Sequence, residues 1–449
     1  ILRVRIDEIR DDEFKVFAHL SNDAEWREVY DSQRSSSAAR IDRFVAMGPK
    51  PDTAYVITRN GGDRRAAYEF NLRNGTLGPL LFQDPKFDVD GFQVDAYAGD
   101  AVGVSYADNL QRVVYFDPAL ASLIAKIRAL LPGEQVNLVT WSRDRSSLIV
   151  RADGPSNRTG AYYFADTQTG QISRLGARYP SIAEGDIATV RSFTYVARDG
   201  LAILAYLTLP PRSAAKNLAM IVMPHGGPEA RDTAEFDRWA QFLATRGYAV
   251  FQPQFRGSDG FGWSFRQAGR LQWGLKMQDD ITDGVKALIG DGTADPARIC
   301  IFGWSYGGYA ALAGLAFTPE LYKCGVAGAG VSDLRAVLAD EKTKNGGRWD
   351  TLRYWPSVIG DPFKDVKRLE ATSPARHAEN IRARLLLLHA KDDTIVRISQ
   401  SELMARAMEK AGKPFEIIKL EGDDHWLSHS ETEIRVLREL ERFLGKNLQ

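Results

Sequence analysis

A change of rhythm near residue 202 restricts this 449-residue chain more than any other feature. From there on, short runs of continuous apolar residues alternate with stretches of helical periodicity. The runs at 219–224, 248–254, 298–304, 323–331, Arg384–Ala390 and Phe415–Leu420 read as strands. Residues 233–246, 280–289, 308–317 and 399–411 read as the intervening helices, and 432–444 as a closing amphipathic helix. Strands that are apolar on both faces, each followed by a helix, bury themselves in a mostly parallel, doubly wound sheet. Asp199-Gly200 reads as the tip of a hairpin entering this region.

Upstream the chain reads as β structure with a repeat. Ala54-Tyr55-Val56-Ile57, Ala101-Val102-Gly103-Val104 and Leu148-Ile149-Val150 recur about every 47 residues. Partner runs keep step at Tyr68-Glu69-Phe70, Val114-Tyr115-Phe116 and Tyr162-Tyr163-Phe164, and turns follow at Asn74-Gly75 and Thr169-Gly170. Such a period is the signature of propeller blades, and residues 1–190 have room for about four. An irregular β-sandwich is the alternative. The expected organisation is therefore an all-β, propeller-like domain over 1–190 and an α/β domain over 191–449.

Gly303-Trp304-Ser305-Tyr306-Gly307 lies between the buried strand and the small-residue helix that starts at Gly308. Strand, Gly-x-Ser-x-Gly, helix is the context of a nucleophile elbow, a sharp turn that exposes the serine hydroxyl. The flanking glycines let strand and helix approach closely. A serine needs a base, usually a histidine held by a carboxylate. Both stand on loops after later strands: Lys391-Asp392-Asp393 after one, and Glu421-Gly422-Asp423-Asp424-His425 after the last. The order Ser305, Asp393, His425 is that of this fold. His429 is the rival base, but Ser428 and Glu431 around it suit a capping box at the start of the final helix. His389, inside a strand, reads as a satisfied core histidine. An oxyanion hole needs two donors. The N–H of Tyr306 is one, and the loop His225-Gly226-Gly227-Pro228 after an earlier strand is placed to supply the other.

These segments resemble the prolyl oligopeptidase family of serine peptidases, and most of all its acylaminoacyl-peptidase branch. The resemblance rests on His225-Gly226-Gly227-Pro228, Gln254-Phe255-Arg256-Gly257-Ser258 with Gly260-Phe261-Gly262, Gly303 to Tyr309, His389 to Val396, and Asp424-His425. It implies an α/β-hydrolase domain preceded by a β-propeller, and a serine peptidase acting on short peptides. It points to Asp393 rather than Asp392 as the acid. It also implies a backbone donor, Gly227, for the oxyanion, because His225 stands where some branches carry a tyrosine. By the same resemblance Trp304, Tyr306, Val331, Leu334 and Val396 shape the first substrate pocket, although Val331 and Leu334 equally suit a core. Gln254-Phe255 departs from the family's Asn-Tyr. No adjacent Glu-Glu occurs in residues 1–190, which argues against the free-amine clamp of the dipeptidyl-peptidase branch. The same triad would also serve a carboxylic ester hydrolase, and a non-catalytic binding scaffold is the reading from another class.

Charge and composition narrow the partners. Lys plus Arg and Asp plus Glu are 58 each. The balance removes any electrostatic drive towards nucleic acid or an anionic membrane. The apolar run 385–388 is far short of the roughly 20 residues of a membrane helix, and no run in the sequence approaches that length. No signal segment stands at the start, so a soluble chain is expected, with the cytoplasm favoured over the periplasm or secretion. Two cysteines, Cys300 and Cys324, exclude a disulfide framework and allow one bridge without supporting it. No cofactor or metal is implied. About four blades is fewer than the resembling family carries, and the chain opens on Ile1. The expectation is thus a C-terminal part of a longer polypeptide, its propeller incomplete here and completed by missing blades, a second chain or a homo-oligomer.

Overall fold

The alternation after residue 188 becomes an eight-stranded mixed sheet with helices on both faces. This is seen in a computed structural model that describes residues 3–10, 13–20, 25–34, 40–48, 50–154, 157–344 and 349–448. The chain divides into two compact units, Ile1–Ile187 with Gly260–Ser264, and Ala188–Asp259 with Phe265–Gln449. The division falls three residues before the expected boundary at 190. Gly260–Ser264, expected in the second domain, groups with the first: the Asp88 N–H donates to the Gly260 carbonyl at 3.0 Å, and the Gly262 N–H to Asp88 Oδ2 at 3.1 Å.

In the second unit the strands are β1 (Thr189–Val196), β2 (Ala202–Leu209), β3 (Leu218–Val222), β4 (Ala249–Pro253), β5 (Ala294–Trp304), β6 (Cys324–Gly328), β7 (Arg384–Ala390) and β8 (Phe415–Leu420), in the order β1-β2-β4-β3-β5-β6-β7-β8. β2 is antiparallel to both neighbours and every other pairing is parallel. The helices are α1 (Arg238–Ala244), α2 (Lys276–Gly290), α3 (Tyr306–Phe317), α4 (Leu334–Lys344), α5 (Trp349–Val358), α6 (Val366–Ala371), α7 (Ser399–Lys410) and α8 (Ser430–Asn447). Side chains alternate across a strand, so one run feeds two cores. Ile299 and Ile301 of β5, with Leu385 and Leu387 of β7, pack with α2, α3 and α7. Cys300, Phe302, Leu386 and Leu388 pack with α1 and α8 on the opposite face. Cys300 and Cys324 are direct partners across β5 and β6, with Cα atoms 4.7 Å apart, and are joined as a disulfide. α4, α5 and α6 were not legible as helices; they fill the long connection between β6 and β7.

The first unit holds four antiparallel sheets in chain order. Their strands are Arg3–Arg10, Glu13–His19 and Arg27–Asp31; Ile41–Met47, Thr53–Thr58, Ala66–Asn71 and Thr76–Phe82; Val89–Val94, Ala101–Ala107 and Gln111–Tyr115; and Gln135–Trp141, Ser147–Gly154, Asn157–Asp166 and Gln171–Ala177. The repeat pairs as read: Val56 opposes Tyr68, Val104 opposes Val114, and Val150 opposes Tyr163. Apolar clusters join the first sheet to the second, the second to the third and the third to the fourth. The all-β reading needs one correction, the helix Pro118–Leu130. Asp117 caps it by accepting from the N–H groups of Ala119 and Leu120, Pro118 starts it, and Leu120, Ile124 and Ile127 are its buried stripe. Among the described residues no helix is long and apolar enough to cross a membrane.

Candidate active site

The turn between β5 and α3 is strained at one residue. Ser305 has φ 60° and ψ −121°, an unfavourable conformation for a side chain with a Cβ. Neighbouring backbone holds it there, with the Ser305 N–H donating to the Gly328 carbonyl at 2.9 Å. The glycines are a packing requirement. A Cβ on Gly303 would collide with the carbonyl of Gly307, one on Gly307 with the carbonyl of Pro224, and one on Gly308 with the carbonyl of Gly328. The loop after β3 is therefore drawn against the serine: a Cβ on Gly226 would stand 3.6 Å from Ser305 Cβ.

After β7 the chain turns so that Asp393, 4% exposed, points inward while Asp392 faces solvent. Asp393 Oδ1 accepts from the N–H groups of Ile395 and Val396, both at 2.8 Å. Its Oδ2 lies 2.7 Å from His425 Nδ1, on the loop after β8. Burial pushes the Asp393 carboxyl up, but the hydrogen bonds of His389 and His425, the charge of His425 and the Val396 N–H outweigh it and hold the group well below the usual carboxylate range. With its Nδ1–H committed to a carboxylate, His425 keeps Nε2 as its acceptor nitrogen. His389 is buried and satisfied, as read: Nε2–H donates to the Val396 carbonyl at 2.7 Å, so Nδ1 accepts from the Ser401 hydroxyl at 2.7 Å. It also stands 3.4 Å from Asp393 Oδ2, a brace for the acid that the core-histidine reading did not include. His429 is the N-cap residue of α8, with Nδ1 3.2 Å from Asp423 and a solvent-facing ring. The expected Ser428–Glu431 box is not what caps the helix; the Ser428 hydroxyl donates to Asp424 Oδ2 at 2.8 Å instead.

A cavity of about 610 Å³ brings these parts together. Gly226, Gly227, Ser305, Tyr306 and His425 all line it. Tyr306 opens α3, so its N–H has no partner within the helix, and Gly227 adopts φ 111°. His225 does not line the cavity. Its ring stacks on Phe255 at 4.3 Å and its Nε2 lies 2.8 Å from the Ser258 hydroxyl, bracing the turn from behind; burial lowers its pKa to about 4. Of the expected pocket residues, Trp304, Tyr306, Val331 and Val396 line the cavity. Leu334 does not. It is fully buried in the core, its N–H bonded to Ser373 Oγ at 2.9 Å, and it is Val337, Leu338 and Glu341, later on the same helix, that reach the wall. Trp273, Trp355 and Ile359 complete that wall from segments without a motif. Outside the cavity, Arg256 is held by Asp280 through Nε at 2.8 Å and Nη2 at 2.6 Å, and by Asp199 through Nη1 at 2.7 Å.

Residues 234–449 match the prolyl oligopeptidase family. Among curated relatives, dipeptidyl aminopeptidase BIII of Pseudoxanthomonas mexicana is 31% identical over 414 residues, 88% of this chain and 58% of that protein. Dipeptidyl peptidase family member 6 of Caenorhabditis elegans is 29% identical over 71% of this chain and 46% of its own length. The chain thus spans about half the length of these prolyl oligopeptidase-like relatives. Among solved structures, a puromycin-hydrolysing peptidase of Mycobacterium tuberculosis superposes with TM-score 0.79 at 23% identity, covering 99% of this chain and 67% of that one. The acylaminoacyl peptidase of Pyrococcus horikoshii gives 0.73 at 19%, covering 100% and 69%. These two share the fold.

Proposed function

We propose that the chain is a serine peptidase that hydrolyses short peptides by acyl transfer. The observation that carries the proposal is the 2.7 Å contact of His425 Nδ1 with buried Asp393, with His425 and Ser305 opening on one cavity. Ser305 Oγ attacks the scissile carbonyl while His425 Nε2 takes its proton. The N–H groups of Gly227 and Tyr306 receive the oxyanion, and loss of one such donor costs about 3–4 kcal/mol. His425 then gives the proton to the leaving amine, the ester to Ser305 remains, and water repeats the cycle in reverse roles. Asp393 holds the imidazole in the required tautomer. Beside Glu341 the wall is mainly apolar and aromatic, which suits an uncharged side chain before the cut. The N-terminal unit reads as four propeller blades, one per sheet.

Two specificities follow from different relatives. A blocked amino end is favoured by the fold shared with an acylaminoacyl peptidase, and release of dipeptides from a free amino end by the relative at 31% identity. Acyl-alanine and free-amine dipeptidyl anilides, assayed beside p-nitrophenyl esters, separate the two, and turnover of esters alone would replace both with an esterase. A fluorophosphonate should label the wild type and leave Ser305→Ala unlabelled; equal labelling would remove Ser305 from the mechanism.

A further inference from the structure

The two sides of a scissile peptide bond meet different parts of such a site. The histidine that takes the serine proton delivers it to the leaving amine, so the leaving residue must sit on the histidine side of the nucleophile. Here that side carries an unusual residue. Trp426, next in the chain after His425, is 71% exposed yet lines the same cavity as Ser305. Its ring stands edge to face with the imidazole, centroids 5.2 Å apart and planes at 88°. The peptide unit that leads into it is pinned at both of its polar groups: the Trp426 N–H donates to Asp424 Oδ1 at 2.9 Å, and the His425 carbonyl accepts from Trp304 Nε1 at 2.8 Å. Ile395, two residues after Asp393, is a second exposed apolar residue, 46% accessible, on the same cavity. Among the buried members of the wall, Val331, Val337 and Trp273 come from segments that carry neither Asp393 nor His425, while Val396 shares the Asp393 loop.

Resting on the serine-peptidase reading above, we propose that Trp426, with Ile395, forms a subsite for the leaving residue and selects an aromatic or large apolar side chain immediately after the cut. A rigid, solvent-facing indole beside the proton donor offers such a side chain a stacking partner.

Partitioning of the acyl-enzyme tests this independently of the pocket for the acyl residue. With a peptide methyl ester as donor, an added amino-acid amide competes with water. The lone pair of its free α-amine nitrogen attacks the Ser305 ester carbonyl, the C–Oγ bond breaks, and His425 carries the amine proton back to Ser305 Oγ. Phenylalaninamide should be captured about threefold to tenfold more efficiently than alaninamide. In Trp426→Ala that ratio should fall close to one, and in Trp426→Phe most of it should remain. A wild-type ratio near one, or one unchanged in Trp426→Ala, overturns the subsite while leaving the peptidase reading intact. Absence of any ester turnover by folded protein, together with no fluorophosphonate labelling of Ser305, overturns the peptidase reading and the subsite with it.

Discussion

Asp392 and Asp393 are adjacent carboxylates with opposite fates. One faces solvent and the other bonds two backbone N–H groups and His425. Replacing Asp393 with Asn should keep the fold and slow turnover on the order of 10⁴-fold, by disfavouring the working tautomer of His425. Asp392→Asn should leave kcat/KM close to wild type. Steady-state rates of the two variants check the assignment, and the reverse pattern would transfer the role to Asp392. A second carboxyl gives a pH signature. Asp232, in the loop beyond Gly227, is pushed up to about 8, first by burial and then by the charge of Asp237, against hydrogen bonds from Gln254 and Gln252. Its folded pKa lies above the unfolded value of about 3.9, so between the two the folded state holds the extra proton. The stability linked to that proton is complete below about pH 4 and is lost as pH rises through about 8. Asp232→Asn cannot lose a proton. Its Tm relative to wild type should therefore climb from about pH 4 to 8 and level off above. Parallel Tm curves would contradict the shift.

Among the elements, those with a strong local signal fell where the sequence put them. β7 and β8 match residue for residue: β7 is a near-continuous apolar run, and β8 a short stretch of Phe415, Ile417, Ile418 and Leu420 bounded by Gly412 and Gly422. Helix α3 began two residues earlier than read, since Tyr306 already follows the strained Ser305. The helices between β6 and β7 escaped because Pro356 interrupts one and short polar stretches surround the others. The helix Pro118–Leu130 was legible in principle: Asp117-Pro118 is a start signal and Leu120, Ile124 and Ile127 have helical spacing. The surrounding β repeat masked it. Arg256 ties the turn after β4 to α2 through Asp280 and to the β1–β2 hairpin tip through Asp199. Arg256→Ala would leave Asp280 buried beside no cation, at a cost of about 3–5 kcal/mol. Urea denaturation should show the loss as a lower midpoint with an unchanged slope; a midpoint equal to wild type would mean that the network contributes nothing.

At the scale of the molecule, each unit has apolar cores of its own, on the two faces of the mixed sheet in one and between successive antiparallel sheets in the other. Separate cores do not satisfy the conditions for a single two-state transition. Calorimetry should give an unfolding enthalpy larger than the van't Hoff value from the same trace, and equality of the two would show that both units melt as one.

By itself the sequence determined what local physics dictates. Periodicity set most of the strands and helices of the second unit, the repeat marked which runs of the first unit are partners, and the glycines around Ser305 marked a turn that no larger residue permits. The order of Ser305, an acid and His425 followed from loops at strand ends. Tertiary structure alone decided what depends on surfaces distant along the chain meeting. It turned Asp393, the acid that the family resemblance prefers, inward against the Ile395 and Val396 amides and left Asp392 in solvent. It sent Leu334 into the core and Val337 to the cavity, by the rotation of one helix about its axis. It brought Trp273 and Trp355 to the wall and set Cys300 opposite Cys324, by strand register. Backbone strain and periodicity act between near neighbours and can be read along the chain, whereas register, helix rotation and cavity walls are settled only when the whole core packs.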